Sequence, residues 1–233
     1  MKKEVSGMTY LVVAAHPDDE VLGAGATLAK LASEGNTVIT CFLSGEVTAR
    51  RHRPELEKLR KDIISSARIL GVKQVILGKF PNIQFNTIPH LSMVQFIEQV
   101  ILDTEAETIF THHPSDLNND HLHTSLACQA AIRLFQRRDG VLPVKELLFM
   151  EIPSSTEWSL NKSVQPFTPN VYIETREEFL TAKLQALAEY SGVMRDYPHP
   201  RSQIAIKGLA AYRGAQAGMV YAESFESVFR REL

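Results

Sequence analysis

Two short polar groups in this chain carry the residue types that bind a divalent metal and move a proton. The first is His16-Pro17-Asp18-Asp19-Glu20; the second runs from His112 to His123 and holds His112, His113, Asp116, Asp120, His121 and His123. A catalytic metal takes imidazole and carboxylate donors in fixed directions and keeps a position open for water. His16 at a strand end and Asp19 three residues later, at a helix start, can face the same side. Asp18 between them is free for another role, and the second group supplies a third donor. Asp120 reads as the N-cap of a helix from Leu122 to Phe135, which sets His121 at the helix mouth facing the site. The plainer alternatives are two acids that only answer a helix dipole and a polar loop whose histidines are incidental. Two such groups at neighbouring strand ends weigh against both.

The elements that must position these groups follow from the apolar pattern. Tyr10 to Ala15 reads as a buried strand that delivers the first group to the rim of a sheet, where open α/β folds place their sites. Glu20 to Leu31 has helical spacing and is stopped by Gly35-Asn36. Strands are expected at 37–43, 74–77, 108–111 and 146–151, with helices at 54–70, 91–102, 177–190 and 202–217. This alternation predicts an α/β, Rossmann-like fold with a mainly parallel sheet flanked by helices. The 233 residues show no internal repeat or Gly/Ser-rich linker, so the expectation is one domain over 1–233.

Composition narrows the function classes. A formal charge of -2 lacks the basic bias of a general nucleic-acid binder. The N-terminus lacks a secretory pattern and no apolar stretch approaches the roughly 18 residues of a membrane span, so a cytoplasmic protein is expected. Cys41 and Cys128 are far apart with no paired spacing, which reads as two small buried residues rather than a disulfide or a cysteine metal site. Gly23-Ala24-Gly25 invites a dinucleotide reading, but these glycines fall inside helix turns that follow two acids, where a pyrophosphate would be repelled.

Ala14-Ala15-His16-Pro17-Asp18-Asp19-Glu20 together with Asp116-Leu117-Asn118-Asn119-Asp120-His121 resembles the zinc-dependent sugar deacetylase family. That family includes the de-N-acetylase of glycosylphosphatidylinositol synthesis, the mycothiol and bacillithiol deacetylases and archaeal diacetylchitobiose deacetylases. The stretches 151–158, 167–170 and Pro198-His199-Pro200-Arg201-Ser202 resemble a bacterial and archaeal branch of it. The resemblance implies zinc held by His16, Asp19 and His121, with Asp18 as general base. The chemistry agrees: a metal lowers the pKa of its water towards about 7, a neighbouring carboxylate takes the proton, and the oxyanion needs a second donor.

The sequence departs from the thiol-pathway members at Asn118, where they carry a histidine that helps to stabilise the oxyanion. An amide donates a hydrogen bond but cannot become cationic. His199, with Arg201 beside it, is the expected replacement, acting within the chain or across a subunit interface; His112 is the runner-up, and a rigid turn between two prolines is the plain reading of His199. Asn82 and Asn86 stand where related sequences tend to have aspartates, which alters sugar hydroxyl recognition. The substrate-contacting set is then Asn118, His112, Asp116, Arg201 and Asn82.

Arg50, Arg51 and Arg53 are either a phosphate contact or a solvated loop. Trp158 and Phe167 either stack on a pyranose or fill space. Lys183 and Tyr190, seven apart on one helix, are open between packing and binding. The expected function is a hydrolase releasing acetate from an N-acetylglucosamine-type sugar in polysaccharide or glycoconjugate metabolism. Its rivals are an O-acetyl or other acyl hydrolase on the same fold and a non-catalytic zinc-containing carbohydrate-binding protein. Iron or cobalt also suits the donor set. The resemblance further implies a homo-oligomer, a trimer or hexamer.

Overall fold

A computed structural model describes residues 7–46, 54–160 and 165–232. The chain runs β1 (Thr9–Ala14), α1 (Asp19–Ser33), β2 (Thr37–Phe42), α2 (Leu56–Leu70), β3 (Gln74–Leu77), α3 (His90–Thr104), β4 (Thr108–His112), α4 (Asn119–Ala131), β5 (Glu146–Met150), β6 (Val171–Thr175), α5 (Glu177–Glu189), α6 (Gln203–Ala217) and β7 (Tyr221–Arg230). One sheet has the order β3-β2-β1-β4-β5-β7-β6. The first five strands pair in parallel and the last two antiparallel. The α/β, mainly parallel expectation is met.

Strand β1 shows why the sheet forms. Its side chains alternate: Val12 and Ala14 join one apolar cluster with α1, α2, α5 and α6, while Leu11, Val13 and Ala15 join another with α3 and α4. All five are fully buried. A strand covered on both faces has to be apolar throughout, as this one is. Burial of each large aliphatic side chain is worth about 1.5–3 kcal/mol.

From β1 the chain steps to β2 on one side, and β4 later pairs on the other. The crevice where ligands bind in open α/β sheets lies outside the carboxyl ends at such a reversal. His16 to Asp19 leave β1 there, and the segment from His112 leaves β4 beside them.

Two expectations change. Helix α4 begins at Asn119 and ends at Ala131, and its N-cap is Asn118, whose Oδ1 accepts from Asp120 N at 2.9 Å. Asp120 cannot cap because its carboxylate is taken by Ile83 N, Phe85 N and His16. Strands β6 and β7 arise in stretches for which the sequence analysis assigns no strand. Arg50, Arg51 and Arg53 lie outside the described residues. Gly71, at φ 71°, closes α2 in the left-handed conformation that glycine tolerates best.

Candidate active site

Asp18 begins α1 with φ 103°, a backbone region unusual for a side-chain-bearing residue. Its carboxylate makes no capping hydrogen bond, so the plain cap reading of this pair fails for Asp18. Its N–H donates instead to Glu20 Oε2 at 3.0 Å. Non-glycine residues held in such regions cost about 1–3 kcal/mol and cluster at functional sites. The turn leaves Asp18 on the wall of a cavity of about 520 Å³ at the sheet's crevice.

On the same wall Asp19 Oδ2 faces His16 Nδ1 at 3.4 Å and His121 Nε2 at 3.2 Å, with the deeper His112 Nε2 at 3.6 Å. A carboxylate stands close to the other nitrogen of each ring. Asp120 Oδ2 lies 2.9 Å from His16 Nε2, and Asp116 Oδ2 lies 3.1 Å from His121 Nδ1. Asp116 is itself fixed by the hydroxyls of Ser155 and Thr156 and by Asn118 N. A carboxylate behind each histidine sets its tautomer and orientation, the usual support for a metal ligand.

The electrostatics describe a place prepared for positive charge. Burial alone would lower His121, yet Asp19 and Asp116 outweigh it and carry the imidazolium up to about 10. Burial also opposes ionisation of Asp19, but His121 and His16 hold its carboxyl well below the usual carboxylate range. Despite the close carboxylates, neither ring nitrogen of His121 has a hydrogen bond of acceptable geometry. Donor atoms of His16, Asp19 and His121 lie within 4.8 Å of one another. Two imidazoles, one carboxylate and a buried nitrogen left without a well-formed hydrogen bond suit a divalent ion. His112, Asp116 and His121 form a second such group, but there Asp116 is already engaged as the orienting partner.

The cavity lining brings together His16, Asp18, Asp19, Asn82, Asn118, His121 and Arg201, with Ile83, Leu117, Asn119, Ser154, Ser155 and Trp158. Asn118 has its Oδ1 committed to the helix cap, so its NH2 group is what it offers the cavity. Three expected residues are not in that wall. His112 is fully buried behind it, its Nε2 accepting from Ala15 N at 2.8 Å, and burial together with His121 pushes it down to about 3. It is therefore neutral and positions the β1 terminus rather than contacting substrate. Asp116 supports His121 instead of reaching a ligand. His199 packs edge-on against Trp158 with ring centres 5.7 Å apart, and its Nδ1 accepts from Arg201 N. Partial burial and then Arg201 lower its pKa, which works against a cationic role at neutral pH.

The sequence analysis missed the supporting function of Asp120 and of Glu20. Glu20 is buried beside Asp18 and accepts from Tyr190 Oη at 2.6 Å. Burial raises it to about 8, so it adds no full charge next to Asp18 at neutral pH. Tyr190 thus supports the site, and Lys183 is structural, donating to Leu22 O and to Glu223. Phe167 packs on His113, not on the cavity. A helix-start acid reads the same in sequence whether it caps or supports a ligand; only the position of the 80–86 loop separates the two.

A family model described as PIG-L: GlcNAc-PI de-N-acetylase matches residues 11–132, the span that holds both polar groups. An uncharacterized deacetylase, YaiS, of Escherichia coli (strain K12) is 29% identical over 188 residues, covering 77% of this chain and 89% of its own. A 1D-myo-inositol 2-acetamido-2-deoxy-alpha-D-glucopyranoside deacetylase of Corynebacterium glutamicum (strain R) is 37% identical over 90 residues, 34% of this chain and 31% of its own. Among solved structures, the conserved protein TT1542 of Thermus thermophilus superposes with TM-score 0.78 at 25% identity, covering 96% of each chain. GalB, a 4-carboxy-2-hydroxymuconate hydratase from a Pseudomonas strain KT2440, superposes with TM-score 0.74 at 22% identity over 97% of this chain and 98% of its own; that likeness shows the fold alone.

Proposed function

The chain belongs to the GlcNAc-PI de-N-acetylase (PIG-L) family, and from that premise we propose that it is a zinc-dependent hydrolase removing acetate from the amide of an N-acetylglucosamine-type sugar. The observation that carries this reading is the placement of Asp18: a carboxylate on the cavity wall, in a strained turn, unused as a cap and adjacent to a cation-ready His-Asp-His group. His16, Asp19 and His121 would hold the metal, and a metal there supplies Lewis-acid activation of water and of the acetamide carbonyl.

The chain's own residues do the rest. Asp18 accepts the proton of the attacking water as the carbon–oxygen bond forms. It then returns that proton to the nitrogen as the carbon–nitrogen bond breaks, so that acetic acid and the amine leave and ionise to acetate and ammonium. Asp116 and Asp120 keep the two imidazoles aligned, and neutral Glu20 fixes the backbone of Asp18 through its N–H. Asn82 and the amide N–H of Asn118 face the space a sugar would occupy and suit its hydroxyls.

Asp120→Asn is expected to weaken metal affinity about 10- to 100-fold, since it removes the anionic partner of His16 and keeps one oxygen for a loop N–H, that of Phe85. Competition with a chromophoric chelator measures this, and unchanged affinity would contradict the assignment. Trp158, 43% exposed at the cavity mouth, offers a flat face to a pyranose. Trp158→Ala is expected to raise KM about tenfold with kcat nearly unchanged, read from initial rates of acetate release.

An O-acetyl or other acyl hydrolase and a non-catalytic carbohydrate binder are the remaining readings on this fold. Paired N-acetyl and O-acetyl glucosamine substrates separate them: amide cleavage supports the proposal, ester cleavage alone overturns it in favour of the first rival. The rest of this reading is one catalytic unit over the chain, working in the cytoplasm and assembled as a trimer or hexamer. Exposed Leu160 and Ile204 supply apolar surface for such contacts. No described helix is long and apolar enough to cross a membrane.

A further inference from the structure

Among the described residues, Arg201 is the one permanently charged cation lining the cavity. Its position is fixed from three directions. The backbone N–H donates to His199 Nδ1 at 3.0 Å, and the next residue, Ser202, caps α6 by accepting from Ala205 N. The guanidinium Nε donates to Ser154 Oγ at 2.6 Å. Nη1 comes to 3.8 Å from Asp18 Oδ2. That separation is an ion-pair contact but is longer than a hydrogen bond, so the Nη1 hydrogens are not consumed by Asp18.

Neither histidine that could have supplied a cationic donor lines the cavity: His112 lies behind the wall with its Nε2 on Ala15 N, and His199 packs edge-on against Trp158. Asn118 supplies only a neutral amide. We propose that the Arg201 guanidinium is the donor that stabilises the oxygen of the scissile carbonyl as negative charge builds on it, supplying in this chain the positive charge that Asn118 lacks. The inference rests on the deacetylase reading and names a catalytic residue within it.

The proton and charge balance is complete without further groups. Water oxygen bonds to the carbonyl carbon, the carbonyl oxygen takes the negative charge, and Asp18 takes the proton. When the tetrahedral state collapses, Asp18 protonates the leaving nitrogen and regains its negative charge, and the acetic acid that leaves passes its remaining proton to the freed amine, giving acetate and an ammonium. Arg201 gives up no proton at any stage, in keeping with a side chain that does not titrate in this range. A fixed donor that meets charge developing in the transition state acts mainly on turnover.

The test uses the metal-loaded full chain, its metal content verified, with Arg201→Ala, Arg201→Lys and Ser154→Ala variants. Arg201→Ala is expected to lose about 100- to 1000-fold in kcat with KM within about threefold. Added guanidinium restores part of the rate, and lysine, lacking the planar fork, restores less than arginine. Affinity for a phosphonamidate of glucosamine, whose anionic tetrahedral phosphorus mimics the tetrahedral state, falls by a similar factor in calorimetry. Ser154→Ala leaves arginine in place but frees its Nε, and is expected to lower kcat about tenfold while leaving KM unchanged. Wild-type kcat in Arg201→Ala, or a loss confined to KM and to substrates bearing an anionic group, overturns the proposal; the second result would make Arg201 a reader of substrate charge. If the wild-type protein itself releases no acetate, the underlying reading falls, and the proposal with it.

Discussion

Asp18→Asn is expected to leave a folded, metal-loaded protein whose kcat for acetate release is about a thousandfold lower. Positioned acid–base groups contribute about 100- to 10,000-fold. The upper part of that range applies because Asp18 has both halves of the proton traffic, taking a proton from water and giving one to the amine. The substitution is conservative where it matters for folding. Asparagine tolerates positive φ as well as aspartate does, so the φ 103° turn is retained. The N–H that donates to Glu20 is a backbone group and persists. Asp19, His16 and His121 are untouched, so metal content measured by emission spectrometry should match the wild type. A variant that keeps its turnover would remove Asp18 from the chemistry, and one that loses its metal would make Asp18 a ligand.

The second large effect comes from His121. His121→Ala removes one of three donors and strips Asp19 and Asp116 of the imidazolium between them. Leaving buried charges uncompensated costs about 3–5 kcal/mol. The expected outcome is a protein with a clearly lower Tm, metal well below one equivalent and no acetate release. In metal-free wild-type protein the sign of the pH dependence follows from the raised His121, at about 10. A raised pKa gives stability that is full below the unfolded value of about 6.5 and is lost as pH rises towards the folded value. A metal must displace that proton and any held by His16, which its carboxylate partners also raise, so apparent affinity climbs with pH and uptake at pH 7 releases at least about one proton. Calorimetry in buffers of different ionisation enthalpy measures the proton count. No proton release on metal uptake would contradict the placement of His121 among the ligands.

Much of the fold was legible because β1, β2, β4 and β5 are largely apolar and buried, and such runs suit a strand held between two helical layers. The C-terminal strands were not. In β7 the sequence Tyr-Ala-Glu-Ser-Phe-Glu-Ser-Val-Phe-Arg mixes acids and serines into positions that are buried for its first half and exposed for its second. Buried Glu223 is tolerated there only because Lys183 and two N–H groups of α1 meet it, which are contacts distant in the chain.

At the site, residue types and spacing were enough to group His16, Asp18, Asp19 and His121. They put His199 first and His112 second, with Arg201 only beside them, because strand ends and turns look alike in sequence. Which side chain turns inward was decided by Ala15 N, which occupies His112, and by Trp158, which occupies His199. Asp120 was misread for the same reason. Its proper partners, Ile83 N and Phe85 N, sit in a loop more than thirty residues away.

GalB shows that this fold also accompanies a hydratase, so the fold cannot stand in for the reaction. The account turns on one measurement: acetate and free amine released by the metal-verified protein from a panel of N-acetylated sugars. The two products are expected in equal amounts from at least one N-acetylglucosamine-type substrate, with release abolished by chelation and restored by zinc. Metal-loaded protein that releases neither product across the panel, or consumes a substrate without freeing an amine, would contradict it.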